Sequence, residues 1–302
     1  MSVFAVHANN PIVPRSITNP VGGADRVRRV TNALSESLAG VQDWLIGRFQ
    51  SIPVERIVVN SLYVNQYRYE YQINILALEQ LVNDLLIELG LLPNDYVVRE
   101  VVGAYEQGTG LAVENLANIS EDYTRTITQV LMSDPWQRRA ALVGSRVFEE
   151  MKGFEGDTGV ELGRVLRQAV QDGLNPRDVV DTIKQRFGVA ESRAKRIATT
   201  EISGALRRAR WDEAQDAESR LGIRVRLMWV SALRPTTRLW HASRHGLIYT
   251  VQEVREFYAV NGNAVNCYCS QIETLVDKDG KPVVTRAQDR LLKQKKEYFG
   301  QD

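Results

Sequence analysis

Apolar residues recur at three- and four-residue spacing along much of this chain between Ala24 and Ser219, a pattern that lines one face of an α-helix. Val27, Val30, Leu34, Leu38, Val41 and Leu45 form the first stripe, which runs to Ile52-Pro53. Leu78, Val82, Leu85 and Leu89 form a second, closed by Gly90 and Pro93. Further helices are expected at 95–118, 121–132 and 135–152, the first weakened by Gly103, Gly108 and Gly110. Amphipathic helices in this number must bury their stripes against one another, so a long helical body is expected.

The next helices are well punctuated. The segment from Val160 to Asp172 closes on Gly173, a residue type that readily takes the left-handed conformation after a helix. Asn175-Pro176 supplies an N-cap and a first-turn proline for a helix to Arg186, ahead of Gly188. Glu191 to about Ser219 reads as a long helix ending near Gly222. The character then changes. Val225, Leu227, Trp229 and Val230 suggest a strand, Val251 to Tyr258 a short helix, and Asn266 to Thr274 another strand. The expected fold is α+β and predominantly helical, a long N-terminal helical body followed by a small C-terminal α+β module. The stretch from Ile57 to Tyr71 stays open between a strand pair and an aromatic-rich helix start.

Four regions follow from this pattern. Residues 1–23, with Pro11, Pro14, Pro20, Gly22 and Gly23, read as an extended arm, either disordered or ordered against a partner. Residues 24–152 form the helical body, 153–275 a distinct domain, and 276–302 a charged tail rich in Lys, Gln and Glu. No internal repeats occur. Lys and Arg number 38 against 37 Asp and Glu, so whole-chain charge implies no general affinity for nucleic acid or membrane. The most apolar stretch, Ile73 to Leu92, is interrupted by Glu79, Asn83, Asp84 and Glu88, and the N-terminus lacks a basic segment followed by an apolar one. A soluble chain without a signal peptide is expected. The only cysteines, Cys267 and Cys269, form no disulfide framework, which suits a reducing cytoplasm.

Three blocks carry most of the chemistry. Leu162, Leu166, Ala169, Gly173 and Leu174, followed by Pro176, Val180, Ile183 and Phe187-Gly188, make two helices joined by a tight turn. Arg193-Ala194-Lys195-Arg196-Ile197-Ala198-Thr199-Thr200-Glu201 follows. The third block is Trp229-Val230-Ser231, Thr237-Arg238-Leu239-Trp240-His241, Gly246 and Asn266-Cys267-Tyr268-Cys269. In this order the blocks resemble the phage head morphogenesis family, minor head proteins similar to the phage Mu F protein and the SPP1 gene 7 product, over roughly residues 155–275. The sequence departs from the family pattern at Thr199, Arg234, Thr236 and Tyr268, where the family has Arg, Asp, Arg and Arg.

His241, Cys267 and Cys269 offer one imidazole and two thiols, and His245, one helical turn beyond His241, would complete a tetrahedral structural zinc site. The alternative is two small sulfurs packed in the core beside a hydrogen-bonded histidine. Glu201 and Arg238 read either as a structural bridge between the long helix and the module or, with His241, as a nuclease-like pocket. Arg193, Lys195, Arg196, Arg207, Arg208 and Arg210 make a locally basic helix that could face DNA or a portal subunit, or simply solvent, as the acidic Asp212, Glu213, Asp216 and Glu218 suggest. Tyr63, Tyr67, Tyr69 and Tyr71 suit core or subunit contact better than base stacking.

The resemblance implies a non-enzymatic structural protein of the virion head at the portal vertex. It would bind the portal protein and major capsid or scaffold proteins, and act in head morphogenesis and in genome packaging or delivery. It implies no membrane partner and no small-molecule substrate. The competing readings are a metal-dependent hydrolase using His241, Glu201 and Arg238, and an injected DNA-associated virion protein.

Overall fold

The computed structural model describes residues 8–59, 64–70 and 75–300. Tyr63, Tyr71 and the first seven positions of the arm lie outside them. The fold is predominantly helical α+β, with a two-stranded sheet early in the chain and a three-stranded sheet late. The chain forms two compact units, one of Met1–Val27, Arg99–Ser145 and Ile197–Asp302, the other of Arg28–Val98 and Arg146–Arg196. These differ from the four consecutive regions read from the sequence, because each unit draws on separate stretches of chain.

The second unit holds most of α1 (Ala24–Gln50), the hairpin β1 (Val54–Val59) and β2 (Val64–Tyr69), and α2 (Ile75–Gly90). It also takes the later part of α5 (Asp134–Asp172) and the beginning of α6 (Pro176–Leu221). The described residues of the stretch left open form an antiparallel strand pair, with Val54 opposite Tyr69. Tyr69 is buried against Phe49, ring centroids 5.7 Å apart, and its hydroxyl donates to the Leu174 carbonyl at 2.6 Å, so it serves the core. Gly173 has φ +61° and accepts from the Tyr67 amide at 3.1 Å. A Cβ there would stand 2.6 Å from the Tyr67 carbonyl, so only glycine fits. The Leu174 amide reaches back to Ala169, and the Asn175 side chain accepts from the Arg177 amide at 3.1 Å, capping α6 one residue before Pro176.

Two expected breaks, between 152 and 160 and at Gly188, are absent. α5 runs for 39 residues through Gly153 and Gly156, and α6 for 46 residues through Gly188. A Cβ at any of these three glycines would meet nothing within 4 Å. Each therefore costs only its helix propensity, on the order of 1 kcal/mol, which the buried residues around them outweigh. The expected helix at 121–132 shrinks to α4 (Ile127–Leu131), started by the Thr126–Gln129 capping box.

The first unit is built around a three-stranded antiparallel sheet in the order β4-β3-β5. β3 (Val225–Val230) is central, with β4 (Ile248–Tyr249) and β5 (Ser270–Leu275) beside it, and Trp229 lies opposite Gln271. Both faces are covered. Val225, Leu227 and Trp229 join a cluster with Leu116 of α3 (Asn94–Ile119), Trp211 and Ala214 of α6, and Val254 and Tyr258 of α8 (Val251–Ala259). Met228, Val230 and Ile272 pack on the other side with Ala287 and Leu291 of α9 (Arg286–Tyr298), and Val13 lies against this second cluster. The expected charged tail thus contributes a helix to the sheet. The described part of the arm is ordered within this chain: the buried Asn115 side chain accepts from the Ile12 amide at 2.7 Å, and Asn118 donates to the Asn10 carbonyl.

The α3 glycines also gain a physical reason. At Gly108 the helix passes so close to α6 that a Cβ would lie 2.4 Å from the Leu206 carbonyl. Gly108→Ala is expected to lower stability by about 1–3 kcal/mol through overpacking, despite alanine's better helix propensity. Gly188→Ala, in open space, is expected to raise it by roughly 0.5–1 kcal/mol. Paired denaturation curves of the two variants measure both signs.

Candidate metal centre

The site grows from three loop and helix segments around the edge of the sheet. The short helix α7 (Leu239–Ala242) carries His241, whose backbone carbonyl accepts from Ser231 Oγ at 2.5 Å just after β3. Cys267 and Cys269 lie on the extended lead into β5, immediately after Asn266, which has φ +52°. Asn266 is steadied by its amide bond to Thr200 Oγ1 on α6 at 3.0 Å.

These elements bring the three sequence-nominated ligands together in the interior. His241, Cys267 and Cys269 are all buried, and their ligand atoms lie within 4.8 Å of one another. His241 Nδ1 is 3.5 Å from Cys267 Sγ and 3.8 Å from Cys269 Sγ. Phe257 stands edge-on to the imidazole with centroids 4.9 Å apart, and Trp229 at 6.2 Å. The hydrogen bond to Cys269 draws the Cys267 thiol below its ordinary range. Burial opposes this shift, while Arg207 and His241 add to it. Cys269, the partner that keeps the proton, is pushed up.

Arg207 is the residue whose part the sequence concealed. It is buried, and its Nη1 donates to the Cys267 carbonyl at 2.7 Å and to the Cys269 carbonyl at 3.3 Å. Its guanidinium lies 4.6 Å from the centre of the Tyr258 ring. One turn along α6, buried Arg210 pairs with the fully buried Glu273 of β5 at 2.5 Å, and Asn115 donates to the same carboxylate oxygen at 2.8 Å. Trp211 Nε1 donates to Gln271, whose amide donates to the Tyr258 hydroxyl, which in turn lies 3.5 Å from Cys267 Sγ.

The basic-helix reading is corrected by this arrangement. Arg207 and Arg210 point inward and cannot share a DNA-facing surface with the exposed Lys195 and Arg196. Arg193 pairs with Asp157 at 2.8 Å, and Arg208 lies 3.7 Å from Glu201. Of the acidic residues beyond them, Glu218 is exposed and the others are engaged. Glu213 and Asp216 are buried and engaged by Arg125 and Arg139, while Asp212 accepts from Tyr105 and Arg255. Alternating charges along one helix look like a solvent face in sequence, and nothing short of their partners reveals otherwise.

Arg238 binds the loop carbonyls of Asn263 and Val265 at 3.2 and 2.8 Å, with Nη1 3.5 Å from His241 Nε2. His245 stands apart from the three-residue cluster, and both its ring nitrogens are occupied. Nδ1 accepts from the Ser231 amide at 2.9 Å and Nε2 faces Gln294 Oε1 at 3.2 Å.

Residues 161–272 match the family model described as Phage Mu protein F like protein. This stretch belongs to the phage head morphogenesis family. No curated protein and no solved structure matches the chain. The Mu F-like stretch contains the whole centre and both buried arginines. Two of its departures from the family pattern meet in space: Arg234, where the family has Asp, stacks its guanidinium 3.6 Å from the ring centre of Tyr268, where the family has Arg.

Two outcomes follow. Arg210→Met leaves a buried carboxylate without its counter-ion and is expected to cost about 3–5 kcal/mol, with part recovered by adding Glu273→Gln; thermal melting of the single and double variants measures this. Burial holds the His245 ring down to about 4, against the Gln294 contact that raises it, with Lys295 lowering it further. Because folding depresses this pKa, the stabilisation is complete above 6.5 and is lost as pH falls towards about 4. The full effect is about 3 kcal/mol. His245→Gln should flatten that part of the wild-type decline in denaturation measured across the window.

Proposed function

We propose that this chain is a minor head protein of a tailed bacteriophage, acting at the portal vertex during head assembly and in packaging or delivery of the genome. The observation that carries this reading is the match of residues 161–272 to the Mu F-like family, together with head morphogenesis as that family's business. Its partners would be the portal protein and capsid or scaffold subunits, and its site of action the virion head.

The work would be done by binding. The charged residues that a hydrolase would need are committed to architecture: Arg238 holds two loop carbonyls, Glu201 lies beside Arg208, and Arg207 and Arg210 secure β5 and its approach. The DNA-associated reading loses support from the burial of Arg207 and Arg210. No helix among the described residues is long and apolar enough to cross a membrane.

The test uses the phage genome that encodes the chain. The full-length protein, co-expressed with the portal protein of that genome, should co-elute with the portal ring in gel filtration. It should also be present by mass spectrometry in purified heads, at far fewer copies than the major capsid protein. Deleting the gene should reduce infectious particles by orders of magnitude while leaving capsid synthesis intact. Absence from particles, no portal complex and a normal yield after deletion would together refute the reading.

A further inference from the structure

We infer that His241, Cys267 and Cys269 form a structural zinc site, closed on its fourth side by the Tyr258 hydroxyl and not by His245. Zinc takes thiolate sulfur at about 2.3 Å and imidazole nitrogen at about 2.0–2.1 Å in tetrahedral geometry. Those bond lengths put sulfur and nitrogen on adjacent vertices about 3.6 Å apart. The separations here, 3.5 and 3.8 Å from His241 Nδ1 to the two sulfurs, bracket that value. A tyrosine oxygen bound at about 2.0 Å would stand about 3.5 Å from a sulfur on the next vertex, and Tyr258 Oη is 3.5 Å from Cys267 Sγ.

The surroundings suit a closed structural site. All four residues are buried, so bulk water has little access. Arg207 grips both cysteine carbonyls at once, which holds the Cys-x-Cys backbone with its sulfurs turned towards the imidazole. Gln271 donates to the Tyr258 oxygen at 3.1 Å, a bond that orients the hydroxyl and survives its ionisation, in the manner of the outer partners that aim metal ligands. Soft thiolates with imidazole favour zinc over magnesium, calcium or manganese. His245 is excluded on geometry, because the Ser231 amide and Gln294 already hold its two nitrogens.

The full chain settles this directly. Protein purified without chelator from zinc-supplemented cells should carry about one zinc per chain by elemental analysis. Stripped with chelator and titrated with cobalt(II), it should show a thiolate-to-cobalt charge-transfer band and the visible bands of four-coordinate cobalt. Since Cys267 and Cys269 are the only cysteines, that band can arise only from them. Zinc return should raise the melting temperature by several degrees. Cys267→Ser with Cys269→Ser should lose the metal, His245→Gln should keep full stoichiometry, and Tyr258→Phe should weaken binding at least tenfold while retaining the charge-transfer band. The wild-type stoichiometry and spectrum decide the matter even should the cysteine variant fail to fold. No bound zinc and no charge-transfer band in wild type overturns the site. Loss of metal in His245→Gln but not in Tyr258→Phe overturns the ligand assignment.

Discussion

Burying charge is costly unless it is matched, and the first unit depends on two buried arginines: Arg210 is paired with the Glu273 carboxylate, Arg207 is met by two backbone carbonyls, and Nε of each is left without a partner. Arg207 and Arg210 are three apart on α6 and so project from the same side of the helix. One holds the Cys267 and Cys269 carbonyls, the other the Glu273 carboxylate, so a single helix face fastens both the lead into β5 and the strand itself. Asn115 extends the same contact: it donates to Glu273 and accepts from the Ile12 amide, which ties α3 and the N-terminal arm to the identical carboxylate. A half-satisfied network of this kind is worse than an apolar core, and that raises the stakes on each member.

The candidate centre follows from that fastening. With β5 and its approach fixed by α6, and α7 fixed by Ser231 and Arg238, the imidazole and two sulfurs meet at separations set by backbone contacts. The apolar ring system of Trp229, Phe257 and Tyr258 encloses them. Here fold and site share one set of bonds, so a change in Arg207 or Asn266 would act on the centre without touching it.

Much of this was legible in advance. The Gly173–Asn175-Pro176 punctuation and the left-handed Gly222 lie where helix-end chemistry puts them. The stripes of α1 and α2 appear as helices, and of the four residues nominated by type, His241, Cys267 and Cys269 lie together while His245 stands apart. Glycine misled at Gly188, where it faces open space, because a local propensity cost cannot break a helix held by its neighbours. It misled again at Gly108, whose weakening of α3 is the condition for close approach to α6.

The sequence by itself determined the helical periodicities, the turn chemistry, the family of residues 161–272 and the residue types of the centre. These are local properties, or patterns carried in linear order. Only the tertiary structure decided that Arg207 and Arg210 face inward, that Arg234 meets Tyr268, that the arm and α9 belong to the sheet, and that Tyr258 rather than His245 stands beside the cysteines. Each of those depends on a partner tens of residues away, and helix spacing specifies which side a residue occupies without specifying what lies opposite.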